Sequence, residues 1–88
     1  MKIKDTFVLS EIGGSYIVIP TGSDTVDLNG MITLNETAYF MWNKLQNDIT
    51  KEELVDEFLK EYDIDRETVS DDIDEFINKL RTIGAISE

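Results

Sequence analysis

The spacing of hydrophobic positions along this chain changes from a strand pattern to a helix pattern near residue 35. In the first part, residues 7–12 and 15–19 are rich in β-branched and aromatic side chains, as β-strands are. Gly13 and Gly14 separate the two segments, and a two-residue connection of glycines suits a type I′ or II′ hairpin, whose turns require positive φ. The pattern therefore predicts an antiparallel hairpin at the start of the domain.

The two-residue turn also predicts the register of this hairpin. It places Leu9 opposite Val18 on one face and Val8 opposite Ile19 on the other. Because both faces are apolar, the sequence alone leaves open which of them packs against the helices.

A third strand is expected between residues 20 and 35, with its position open. Thr25–Leu28 alternates polar and apolar residues, as a half-buried strand does, and Met31–Leu34 resumes an extended pattern. Asn29-Gly30 between them is a strong hairpin signal. The third strand is therefore Thr25–Leu28, Met31–Leu34, or a ribbon that uses both.

The remainder of the chain has helical spacing and clear helix boundaries. Asn35 and Asp65 are good N-caps, Thr50 and Glu53 form a capping box, and Gly84 suits the position after a helix end. Three apolar stripes follow these caps: Ala38, Met41, Trp42 and Leu45; then Leu54, Val55, Phe58, Leu59 and Tyr62; then Val69, Ile73, Phe76, Ile77 and Leu80.

The order of these elements predicts one domain, residues 1–88, of the α+β class. A three-stranded antiparallel sheet followed by three helices is a winged helix-turn-helix-like arrangement.

The net charge of the chain makes some classes of binding partner unfavourable. Nineteen acidic residues stand against eight basic ones, a formal net charge of −11, and the acid is concentrated in residues 52–75. Affinity for phosphate comes from Lys and Arg, so we expect neither nucleic acid nor an anionic membrane as a partner. The order of the elements leaves a DNA-binding winged helix as an alternative, and the negative net charge disfavours it.

The composition also argues against catalysis. Cysteine and histidine are absent, which removes the commonest nucleophile–base pairs and the commonest transition-metal ligands. We therefore expect no enzyme, no metal and no cofactor. No apolar run approaches the length of a membrane span and the N-terminus lacks a signal-peptide pattern, so the expected location is the cytoplasm.

A resemblance to a known family rests on several of these residues. Leu34-Asn35-Glu36-Thr37-Ala38 followed by Trp42, the capping segment at residues 50–54 with Tyr62, and Val69–Asp72 opening the last helix resemble the pyrroloquinoline quinone biosynthesis protein D (PqqD) family. Phe76, Leu80, Gly84 and Ile86 close the pattern, which covers roughly residues 7–87.

The resemblance implies a peptide-binding function. Members of this family hold the leader of a ribosomally made precursor peptide, which adds a strand to an exposed sheet edge beside the third helix. The binding residues that the resemblance implies are Thr25, Val26, Asp27, Leu28, Met31 and Ile32 on the strand side, and Val69, Ile73, Phe76 and Ile77 on the helix side.

The resemblance also implies a second partner. A leader-binding protein presents its peptide to a modifying enzyme, which in this family is commonly a radical S-adenosylmethionine enzyme. The alternative interpretation is a general protein-interaction or dimerisation module, in which the free strand edge pairs with a second copy of the chain as a homodimer.

Overall fold

The computed structural model describes residues 1–21 and 32–87. Within these residues the order of elements is β1 (Lys2–Ile3), β2 (Phe7–Ile12), β3 (Ser15–Pro20), β4 (Ile32–Leu34), α1 (Glu36–Lys44), α2 (Lys51–Glu61), α3 (Arg66–Thr82) and β5 (Ile86–Ser87). The predicted α+β arrangement, a three-stranded antiparallel sheet followed by three helices, is confirmed. The candidate strand Thr25–Leu28 lies outside the described residues.

The β2–β3 hairpin has the predicted register. Leu9 pairs with Val18 and Val8 with Ile19, and the glycines of the turn, Gly13 and Gly14, have φ values of 60° and 82°. Val18 is fully buried, whereas Val8 is 43% exposed. The face with Leu9 and Val18 therefore packs on the helices, which answers the question that the sequence left open.

Among the strands that the structure describes, β4 forms one edge of the sheet. It pairs antiparallel with β3, with Leu34 opposite Tyr16 and Ile32 opposite Val18, and the strand order is β2-β3-β4. Within the described residues, the third strand of this sheet is thus Ile32–Leu34.

The three helices begin at the predicted caps. The side chain of Asn35 accepts a hydrogen bond from the backbone N–H of Ala38 at 2.8 Å. Thr50 and Glu53 make both bonds of the capping box, at 3.1 and 3.0 Å. Asp65 caps α3 through the backbone N–H of Thr68, and Gly84 follows the end of α3 with a φ of 76°. Each cap satisfies donors that a helix cannot pair internally.

The apolar stripes of the helices join the inner face of the sheet in one core. Val18 and Leu34 come from the sheet, and Trp42, Leu54 and Ile73 represent the three helices. Edge-to-face and stacked contacts among Phe40, Phe58 and Tyr62 tie α1 to α2. Aromatic pairs of this kind contribute beyond the area that they bury.

The N-terminal strand β1 covers part of the core, a feature that the sequence pattern did not predict. Ile3 pairs with Ile86 of β5, and its N–H donates to the carbonyl of Leu45 at 2.9 Å. The amino group of Met1 binds the carboxylate of Asp48 at 2.8 Å. A two-residue strand carries too weak a pattern to be found without its partner.

No helix within residues 1–21 and 32–87 has the length and apolar character that crossing a membrane requires.

We expect Ile3→Ala to lower the free energy of unfolding by about 2–4 kcal/mol, because it removes a buried side chain and leaves a cavity. Ile3 is 4% exposed, whereas Ile12 is 56% exposed, so Ile12→Ala is a matched control whose effect should stay within about 0.5 kcal/mol. Urea denaturation followed by Trp42 fluorescence measures both. Equal effects of the two changes would contradict the role of β1 in covering the core.

The cap of α3 predicts a specific pH dependence. Hydrogen bonds from the backbone and side chain of Thr68 hold the pKa of the Asp65 carboxyl below its usual value of 3.8. Because the pKa is lower in the folded state, this group stabilises the fold above the unfolded pKa, and the stabilisation is lost as the pH falls through the folded pKa. Asp65→Asn keeps the cap without the charge, so its stability should depend less on pH below about 5. Asp71→Asn, an exposed change in the same helix, should retain the wild-type slope in acid denaturation curves.

Candidate functional site

A groove separates the edge strand β4 from α3. Its middle section has a volume of about 360 Å³, and the lining includes Ile32, Thr33, Leu34, Ala38, Phe76 and Lys79. The section towards the end of α3 has about 490 Å³ and is lined by Ile32, Glu75, Asn78, Lys79, Thr82 and Ile83. We call the whole feature the β4–α3 groove.

The groove continues past the end of β4 to the start of α1. This third section, of about 220 Å³, has Asn35, Thr37, Met41, Asp72 and Glu75 in its lining. The groove therefore has two ends of different character, which we name the Ile83 end and the Asp72 end.

The backbone of β4 offers hydrogen-bonding groups along this groove. In an antiparallel ladder, alternate residues direct their N–H and C=O groups to opposite sides of the strand. Because β3 takes one side of β4 and no strand pairs with its other side among the described residues, part of the β4 backbone is free to pair with an extended chain.

The helix wall of the groove is a stripe beside the buried stripe of α3. Asp72, Glu75, Lys79 and Thr82 follow one another at helical spacing and border the buried Phe76 and the partly buried Ile83. The helix-side residues expected from the sequence belong to the buried stripe, and Asp72, Glu75 and Thr82 are not among them. Their signal was their spacing, since residues three or four apart lie on one helix face.

The helix-side residues proposed from the sequence divide into two groups. Phe76 is 6% exposed and lies at the floor of two groove sections. Val69 and Ile73 are fully buried and Ile77 is 3% exposed, so these side chains hold α3 in the core. Their contact with a peptide stays a prediction.

On the strand side, Ile32 is half-buried and lines two sections of the groove, so it is well placed for contact. The remaining strand-side residues of the sequence analysis lie outside the described residues: Thr25, Val26, Asp27, Leu28 and Met31.

The charges of the groove are unevenly distributed. The ammonium of Lys79 lies 3.9 Å from the carboxylate of Glu75, and both side chains are largely exposed. Asp72 makes none of the ion pairs found within residues 1–21 and 32–87. In the same residues, no cluster of three or more acidic side chains is arranged to hold a metal ion. The site offers backbone hydrogen-bonding groups, an apolar floor and carboxylates, and this combination suits the binding of an extended chain.

Comparison with known proteins agrees with this geometry. Residues 7–86 match the profile of the family described as coenzyme PQQ synthesis protein D (PqqD). The fold is similar to a solved structure, that of TbiB1 in complex with the TbiA(beta) leader peptide. The two chains are 28% identical with a TM-score of 0.73, and the match covers 93% of this chain and 90% of TbiB1. A comparison with curated protein sequences finds no match.

The burial of the site residues predicts which of them can be varied without loss of the fold. Ile73→Glu should unfold the domain, because an unpaired carboxylate in the core costs more than about 4 kcal/mol. Ile32→Glu should cost about 1 kcal/mol or less, since Ile32 is only half-buried and lies at the sheet edge. Circular dichroism with thermal melting distinguishes the two. A folded Ile73→Glu variant would contradict the assignment of Ile73 to the core.

Proposed function

The chain belongs to the PqqD family, and from this premise we propose that it binds the leader segment of a ribosomally synthesised precursor peptide as an added strand beside β4. The observation that carries the proposal is the side of β4 that pairs with no strand among residues 1–21 and 32–87 and that borders a groove with an apolar floor. The similarity to TbiB1, whose structure contains a leader peptide, supports leader binding as the function.

Strand addition suits the two components of this groove. Main-chain hydrogen bonds to β4 provide affinity that depends little on the sequence of the peptide. Alternate side chains of the added strand point into the groove and contact Phe76 and Ile32, which provides specificity. An exposed strand edge is otherwise an aggregation hazard, so its retention is consistent with use.

We assign the chain no catalytic step of its own. With no cysteine and no histidine in the sequence, we infer that any chemistry on the peptide belongs to a partner enzyme, to which this chain presents the leader. We propose that this partner is a radical S-adenosylmethionine enzyme, because such enzymes are the common partners in this family. We propose that this chain acts in the cytoplasm, where precursor peptides are synthesised.

A homodimer through the same edge is the competing use of β4. Two copies would each carry a net charge of −11, so repulsion opposes their association at low salt. Size-exclusion chromatography over a concentration series, with and without peptide, distinguishes the two uses. A dimer that persists at saturating leader peptide would contradict strand addition at β4.

We expect the leader of the short peptide encoded beside this gene to bind with a low-micromolar or tighter Kd in isothermal titration calorimetry. Ile32→Glu should weaken binding about tenfold or more, because it places a charge on the groove wall. Ile12→Glu is the matched control: Ile12 is an exposed isoleucine of the same sheet that does not line the groove, and its variant should bind as the wild type does.

Peptides with single N-methylated amides test the added strand directly. An N-methyl group removes one main-chain donor, so methylation at residues that pair with β4 should weaken binding and methylation at the residues between them should not. A loss of affinity at every second methylated position of the peptide supports strand addition. Uniform tolerance of N-methylation would contradict it, even if the leader binds.

A further inference from the structure

We propose that the β4–α3 groove selects leader segments in which a lysine or arginine precedes an apolar residue by four positions, with both side chains on the groove face of the added strand. This inference rests on the proposed function and specifies the chemistry of the ligand. It follows from the different character of the two ends of the groove.

The Asp72 end is acidic. Asp72 and Glu75 both line this section, together with Lys79 and the neutral side chains of Asn35 and Thr37, so carboxylates outnumber cations two to one. Lys79 pairs with Glu75 at 3.9 Å, so of the two carboxylates in this section Asp72 is the one that makes no ion pair within the described residues. A cation of the ligand at this end would gain attraction from Asp72, and an acidic side chain would be repelled by it.

The Ile83 end is neutral and more apolar. Ile32 and Ile83 both line this section, and its other lining residues are Asn78, Thr82 and the Glu75–Lys79 ion pair. An aliphatic or aromatic side chain of a ligand would lose apolar surface to water at this end, which favours binding. A charged side chain would lose hydration with no opposite charge other than Glu75 and Lys79, which already pair with each other.

The distance between the ends determines the spacing. From Asp72 to Ile83 the helix rises about 16 Å at about 1.5 Å per residue, which an extended strand covers in about five residues at about 3.3 Å each. Side chains on one face of a strand are an even number of residues apart, and the length of a lysine or arginine side chain spans the remaining distance to Asp72, so the spacing is four. Because side chains of a strand alternate between faces, residues four positions apart both point into the groove, and the residue midway between them meets Phe76 and Lys79.

The direction of β4 determines the order. The strand runs from Ile32, near the Ile83 end, to Leu34, next to the Asp72 end. All pairings in this sheet are antiparallel, and an antiparallel ligand runs from the Asp72 end towards the Ile83 end. The cation therefore comes first in the ligand and the apolar residue four positions later.

A substitution scan of the leader peptide tests this selection. The probes are synthetic copies of the neighbouring leader with each position changed in turn to Lys, Glu and Leu, measured by competition against a fluorescein-labelled leader. Three proteins are compared: wild type, Asp72→Lys, and Asp71→Lys as the control. Asp71 is exposed on α3 next to Asp72 and is not part of the groove lining.

One position should prefer Lys over Glu by about threefold to tenfold in wild type, the range expected for a partly exposed charge pair. Four positions later, Leu should bind more tightly than Glu. Asp72→Lys should reverse the first preference, and Asp71→Lys should leave it unchanged. The preference should weaken at 1 M salt, where the Debye length is about 3 Å.

Three outcomes would overturn the inference. They are the absence of any position with a Lys preference, a preference that Asp71→Lys alters as much as Asp72→Lys does, and an apolar position that precedes the cation. In each of these cases the leader still binds, so the proposed function stands. Failure of the unmodified leader to bind at all would overturn the proposed function and this inference with it.

Discussion

The burial of the apolar stripe of α3 is the constraint on which the rest of this structure depends. Val69, Ile73 and Leu80 are fully buried, and α3 packs against α2 and β5. A domain of 88 residues forms one small core, and this stripe fixes α3 in it. The β4–α3 groove lies beside the buried stripe, and it is the groove in which we place the peptide.

The same packing determines which side chains of α3 remain available. The residues that bury the helix cannot reach far into the groove, and the neighbouring stripe from Asp72 to Thr82 forms its wall. The wall is polar and carries two carboxylates and one ammonium group, while the floor at Phe76 is apolar. Binding energy and selectivity therefore come from different parts of the site: main-chain pairing and the floor supply affinity, and the wall discriminates among side chains.

The edge of β4 brings a risk of self-association, and the net charge of the molecule reduces this risk. A free strand edge pairs readily with another copy of itself, and natural proteins protect such edges with charged residues. Here the protection is indirect. Glu75 and Asp72 border the groove, and a net charge of −11 opposes the approach of a second copy. The same charges leave the groove open to a peptide that carries a cation.

The sequence by itself determined the local structure. Gly13-Gly14 defined the hairpin register, and Asn35, Thr50 and Asp65 marked the helix starts, because turns and caps depend on residues close together in the chain. Only the tertiary structure decided which hairpin face is buried, that β1 pairs with β5, and that Asp72 and Glu75 line the same groove as Asn35 and Ile32. These features join residues far apart in sequence, and no local pattern encodes the distance between them.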